Sequence, residues 1–111
     1  MSHVTEIIES FLKEKNNFDS AAFVACFADD AVVHDEGQEL LGPAAIKRWI
    51  EASNAKYQDT IAAERIVEAD NETILTALVT GIFEGSPVFL NFHFVIRKGK
   101  ISRLRIEPTN K

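Results

Sequence analysis

The sequence predicts an α+β fold in which three amino-terminal helices pack in the concave face of a strongly curved, mostly antiparallel sheet. Apolar residues recur at helical spacing through the first half of the chain and alternate from Tyr57 onward. The alternating segments are separated by short turns, Asp70-Asn71, Gly85-Ser86 and Lys98-Gly99, which suit antiparallel neighbours and exclude the long crossovers of a parallel sheet. The chain has 111 residues and shows no internal repeat, linker or low-complexity stretch, so residues 1–111 read as one domain.

The elements follow in order. Val4, Ile7, Ile8, Phe11 and Leu12 form the apolar stripe of a first helix that ends at Asn16-Asn17. Asp19 is placed to cap a short second helix, with Phe18 and Phe23 spaced as a hydrophobic staple. Ala22, Phe23, Cys26 and Phe27 would be its buried stripe. Asp29-Asp30 reads as a turn before a strand over Ala31–Asp35, and Glu36-Gly37 as a turn before a second strand over Gln38–Leu41. Gly42-Pro43 opens the third helix, since proline in the first helical turn loses no needed amide. Ile46, Trp49 and Ile50 set the buried face of that helix. Four longer strands are expected over Tyr57–Glu68, Glu72–Glu84, Pro87–Arg97 and Lys100–Glu107.

Alternation divides these strands into two faces. Leu75, Ala77, Val79 and Phe83, then Val88, Leu90, Phe92, Phe94 and Ile96, then Leu104 and Ile106, are apolar throughout and face the helices. The opposite face mixes Ile74, Leu78, Ile82, Phe89 and Val95 with Thr76, Asn91 and His93. So much apolar surface on an outer face marks an interface, and a homodimer is the simplest partner. A loop or the last strand folding over that face is the alternative.

Composition narrows the function classes. At 46% hydrophobic and 26% charged the chain is an ordinary globular protein, and its net charge of −5 lacks the clustered cations that nucleic acid requires. No apolar run approaches the ~20 residues of a membrane span. The segment Met1–Glu6 has no basic region or apolar signal core, and Cys26 is a single cysteine, so the expected location is cytoplasmic. His34 and His93 fit no metal-ligand spacing, and no cofactor or metal is expected. Arg103, Arg105 and Glu107 share one parity and read as an ion-pair ladder.

The stretch Phe27-Ala28-Asp29-Asp30-Ala31-Val32-Val33-His34-Asp35, followed by Gly42-Pro43-Ala44-Ala45-Ile46, resembles the SnoaL-like and ketosteroid isomerase-like branch of the nuclear transport factor 2-like superfamily. The order of elements matches over essentially the whole chain, while the sharp part of the motif spans about twenty residues. The resemblance implies a cone-shaped fold with an apolar pocket, and it places Asp35 on the carboxylate that serves as general base in ketosteroid isomerase. That enzyme also uses an oxyanion hole of a tyrosine and a protonated aspartate. Their places fall here on Phe11 and Phe94, neither of which donates a hydrogen bond. Losing one such donor costs on the order of 10²–10³ in rate, so a ketosteroid isomerase reaction of the usual kind is rejected.

The candidate catalytic residues are therefore Asp35 and Tyr57, the latter as a substitute hydroxyl. Phe11, Phe23, Phe27 and Trp49 are expected to line the pocket, together with Leu90, Phe92, Phe94, Leu104 and Ile106 from the strands. Two function classes stand open. In one, an isomerase, cyclase or hydrolase acts on an apolar small molecule with Asp35 as general base. In the other, a non-catalytic ligand-binding or dimerisation module has its cavity occupied by a small molecule or filled by phenylalanine rings. Asp35 capping a nearby turn, and Trp49 as plain core packing, are the structural counterparts of the first reading.

Overall fold

The computed structural model describes residues 3–109, with side chains from Thr5 onward, so the expected contribution of Val4 to the first apolar stripe lies outside the described residues. Helix α1 spans His3–Asn16, α2 Ser20–Val24 and α3 Gly42–Tyr57. The strands are β1 Phe27–Asp35, β2 Gln38–Leu41, β3 Thr60–Ala69, β4 Glu72–Thr80, β5 Val88–Arg97 and β6 Lys100–Pro108. They form one sheet in the order β2-β1-β6-β5-β4-β3, with β1 and β6 parallel and the other pairs antiparallel. The sheet is curved and does not close on itself. Register shifts in β1, between Ala63 and Arg65 of β3, and between Val95 and Ile96 in the β5–β6 pairing give it places to bend.

Local chemistry explains the helix boundaries. The Asp19 carboxylate accepts from the Ala22 amide at 3.0 Å and caps α2. The expected staple does not form. Phe18 adopts a left-handed φ of 55° and is 46% exposed, with the Lys15 ammonium over its ring. Phe23 instead packs on Phe11, Phe27 and Trp49. Helix α2 has only five residues, so Phe27 belongs to β1 rather than to the helix stripe, and Asp29-Asp30 lie inside the irregular stretch of that strand. Helix α3 runs about two turns past the last residue of its apolar face, Ile50, and takes in Tyr57, which the alternating pattern assigns to a strand. Strand β4 stops at Thr80, leaving Gly81, Ile82 and Phe83 outside the ladder.

The inner face is the core. Ile8 and Phe11 from α1, Ile46 and Ile50 from α3, and Val33, Leu75, Ala77, Phe94, Ile101 and Leu104 from the strands are all nearly inaccessible. The cross-strand rows Val33–Leu104–Phe94 and Ile106–Phe92–Leu75 run beneath the helices, as the alternation requires. Phe11 and Phe94 meet edge to face with ring centroids 5.1 Å apart.

Two contacts fix the end of α1 and the end of α3 against β3 and β4. Asn16 donates its amide to the Ile61 carbonyl at 2.9 Å and accepts from the Ile61 N–H at 2.7 Å, so one side chain pairs with a backbone edge. At the other contact, the Ile82 N–H donates to the Tyr57 carbonyl at 2.7 Å. Gly81 allows this approach, because a Cβ there would lie 2.6 Å from the Tyr57 carbonyl oxygen and 2.8 Å from the Asp59 Cβ. Gly81→Ala must push backbone aside, and overpacking of this kind costs about 1–3 kcal/mol. Urea denaturation should show the midpoint fall by a corresponding amount, and an unchanged midpoint would contradict the contact.

Candidate functional site

Between the helices and the open end of the sheet lies a cavity of about 380 Å³. Every layer contributes to its wall. Phe11 and Lys15 come from α1, Phe23 from α2, and Trp49, Ile50, Ser53 and Tyr57 from α3. The sheet side supplies Asp35 at the end of β1, Ile61, Val79, Val88, Leu90, Phe92 and Ile106. Glu36, Asp59, Phe83 and Glu84 complete it from connecting segments. A second, shallower hollow of about 410 Å³ adjoins the first and shares Asp35, Glu36, Trp49, Ser53 and Tyr57 with it.

The wall is mostly apolar, and the few polar groups are therefore informative. Asp35 sits at the end of β1, where strand parity turns it inward with Val33. Its Oδ2 accepts from the Trp49 indole N–H at 3.1 Å. Trp49 reaches it because α3 lays Ile46, Trp49 and Ile50 along one face over the sheet. Burial pushes the Asp35 carboxyl above the ordinary aspartate range, the Trp49 hydrogen bond pulls it back in part, and the charges of Glu36 and Asp59 add to the upward push. Tyr57 occupies the last turn of α3, its ring against Phe83 at 5.9 Å and under the Lys56 ammonium.

The structure brings Asp35, Tyr57, Trp49, Phe11, Phe23, Leu90, Phe92 and Ile106 around one cavity. Phe27, Phe94 and Leu104, also expected in the lining, do not reach it. They pack in the core below, because the register of β1, β5 and β6 buries their level of the sheet under α1 and α2. The contact between Phe11 and Phe94 also fills the places where the resemblance implied an oxyanion hole. The phenylalanines thus form a floor and leave the space above it open.

Sequence reasoning missed a charged pair in the wall. Lys15 donates to both the backbone carbonyl and the carboxylate of Asp59, the latter at 3.2 Å, and the two side chains are 6% and 12% exposed. Burial lowers the Lys15 pKa, and the Asp59 contact opposes that shift. A signal was present, since Lys15 continues the stripe of Ile8 and Phe11 at helical spacing. No sequence signal pointed to Asp59.

The outer face is a different surface. His93 stands between Glu72 at 3.3 Å and Glu107 at 3.6 Å, Arg105 pairs with both glutamates, and Thr76 donates to Asn91 at 2.7 Å. The expected ladder is present for Arg105 and Glu107, while Arg103 has no ion-pair partner among the described residues. Leu78 and Phe89 face each other across β4 and β5 on this side. Ile82, expected on the same face, lies beyond the end of β4 and is 64% exposed. No helix among the described residues is long and apolar enough to cross a membrane.

A family model described as the SnoaL-like domain matches residues 8–104. No protein of curated function matches the sequence. Among solved structures, a candidate polyketide cyclase from Sinorhizobium meliloti is 31% identical, with 96% of this chain and 100% of that one aligned at a TM-score of 0.88. A protein of ketosteroid isomerase-like fold from Catenulispora acidiphila, solved in complex with trimethylamine, is 18% identical over 94% of this chain and 85% of its own, at a TM-score of 0.84. A nuclear transport factor 2-like protein of unknown function from Cytophaga hutchinsonii is 13% identical over 98% and 91%, at 0.79. At those lower identities the likeness is one of fold.

Proposed function

We propose that this chain, which belongs to the SnoaL-like domain family of the nuclear transport factor 2-like superfamily, binds a small apolar carbonyl compound in its cavity and moves a proton on it with Asp35 as general base. The observation that carries the reading is the state of Asp35. Its carboxylate faces an apolar cavity, holds one indole hydrogen bond, and is harder to ionise than an ordinary aspartate. A base gains strength as its pKa rises toward the working pH. The volume of about 380 Å³ also supports it, since ligand pockets begin near 300 Å³. A carbonyl compound suits the base, because a carbonyl acidifies the neighbouring C–H. The candidate polyketide cyclase at 31% identity supports the same substrate class, polyketides being chains of enolisable carbonyls. Isomerisation and cyclisation both begin with that proton transfer, and a hydrolase would apply the same base to water. For simple exchange Asp35 itself returns the proton, and Tyr57, on the cavity wall, is the proposed acid where the proton goes to a different atom, solvent then carrying the proton on Asp35 back to Tyr57.

The test is proton exchange. Wild-type protein should accelerate α-deuteration of 1-indanone in heavy water, and Asp35→Asn should abolish the acceleration. Equal rates in both proteins would contradict the role of Asp35.

A second reading, ligand binding without turnover, is favoured by one observation. The Phe11–Phe94 contact removes the donors that a family isomerase would use.

The outer face supports a homodimer in either case. Leu78 and Phe89 form its apolar centre with Ile74 beside them, and His93 and its glutamates form a polar border. Sedimentation at micromolar concentration should give twice the chain mass of 12.4 kDa, and Leu78→Lys should return it to one chain mass. A wild-type monomer would refute the interface.

A further inference from the structure

Among the described residues the cavity wall holds one cation, Lys15, and the proton transfer proposed above does not use it. Lys15 lies one helical turn after Phe11 on α1, so both side chains leave the same face of the helix, and both line the cavity. Phe11 stands where the resemblance implied a hydrogen-bond donor, and it offers none. An ammonium has three N–H donors. Asp59 accepts two of those of Lys15, through its carbonyl and its carboxylate. The third has no oxygen acceptor among the described residues, the Phe18 ring being the other neighbour at 5.2 Å. Gly81 packs closely against Asp59, where a Cβ would lie 2.8 Å from the Asp59 Cβ. Lys15, Asp59 and Asp35 all line the same cavity, so the pair and the carboxylate belong to one site.

We propose that the Lys15 ammonium, anchored by Asp59, is the donor that receives the carbonyl oxygen of the ligand. The inference rests on the carbonyl-compound reading and adds the residue that binds the oxygen. In the step it implies, the Asp35 carboxylate takes a proton from the carbon beside the carbonyl. The electron pair of that C–H bond becomes the C=C bond of an enolate, and the carbonyl π pair moves onto oxygen. The charge gathered there meets the free N–H of Lys15 against a mostly apolar wall, where such a contact counts for more than it does in bulk water. Return of the proton from Asp35 to carbon restores the carbonyl, and no further reagent is consumed. The donor has moved one helical turn along α1 from the family position, and it is a cation rather than a hydroxyl.

The experiment compares 1-indanone with indane, which has nearly the same shape and no oxygen. A hydrogen bond from a charged donor should make wild-type protein prefer 1-indanone by about tenfold or more in Kd. In Lys15→Met/Asp59→Asn, which removes both charges together and leaves neither buried alone, the preference should collapse toward unity. Infrared spectra supply a readout that a merely structural ion pair would not move. The carbonyl stretch of bound 1-indanone should fall, relative to its position in a hydrocarbon solvent, at least as far as water lowers it. That measurement on wild type needs no variant to fold. If neither compound binds, the pocket reading fails and the inference fails with it. If both bind equally, or the double variant keeps the preference, or the stretch stays at its hydrocarbon position, the role of Lys15 is overturned while the pocket reading stands.

Discussion

Lys15→Met, made alone, is expected to destabilise the protein by about 3–5 kcal/mol, the range seen when one partner of a buried ion pair is removed. The methionine fills the stem of the lysine well enough. The cost comes from Asp59, whose side chain is 12% exposed and would keep a carboxylate without its cation. A small domain has only about 5–15 kcal/mol of stability in total, so the single variant should be close to unfolding at ambient temperature. Lys15→Met/Asp59→Asn should recover most of the loss, because removing both charges leaves no uncompensated ion. Urea denaturation of the two variants checks this. A single-variant cost below about 1 kcal/mol would place the pair among solvent-screened surface ion pairs and contradict its description as buried.

Asp35→Asn is expected to act in opposite directions on activity and on stability. An amide cannot accept the proton, and loss of a positioned base costs on the order of 10²–10⁴ in rate. Stability should rise at neutral pH, and the sign follows from linkage. The folded-state pKa is raised above the unfolded one, so across the window between the two the native state holds more protons than the unfolded chain. Stability contributed by Asp35 therefore falls as pH rises through that window, and above it the ionised carboxylate carries its full burial cost. Below the unfolded value of about 3.9 both states are protonated and the cost vanishes. The gain from asparagine should thus be largest near pH 7 and shrink in mild acid. The Trp49 N–H has an acceptor in either residue, which limits the side effects of the change. A variant less stable than wild type at pH 7 would mean that Asp35 is stabilising as an anion.

These effects depend on residues that were unequally visible in the sequence. Period-two alternation placed the inner faces of β4, β5 and β6 correctly, because a curved sheet with one buried face must repeat every second residue. Asp35 was visible by the same parity count from Val33. Tyr57 was assigned to a strand because helical and alternating patterns overlap where α3 ends, and the left-handed cap at Gln58 gives no apolar signal. Phe27, Phe94 and Leu104 share the parity of true lining residues, but parity gives the face and not the depth. Depth was set by where α1 and α2 cross the sheet, a tertiary fact. The Lys15–Asp59 pair joins residues 44 positions apart, and only the approach of α1 to the start of β3 brings them together. The single polar member of the α1 stripe was the one local trace of it.

Carbon-detected NMR titration of the Asp35 side-chain carboxyl decides whether it is a carboxylate held in an apolar cavity with its ionisation displaced upward. The midpoint is expected clearly above the ordinary aspartate value of about 3.9, and displaced downward when Glu36→Gln removes a neighbouring negative charge. A midpoint at or below that value would show a solvated or well-capped carboxylate, and the cavity would lose its proposed base.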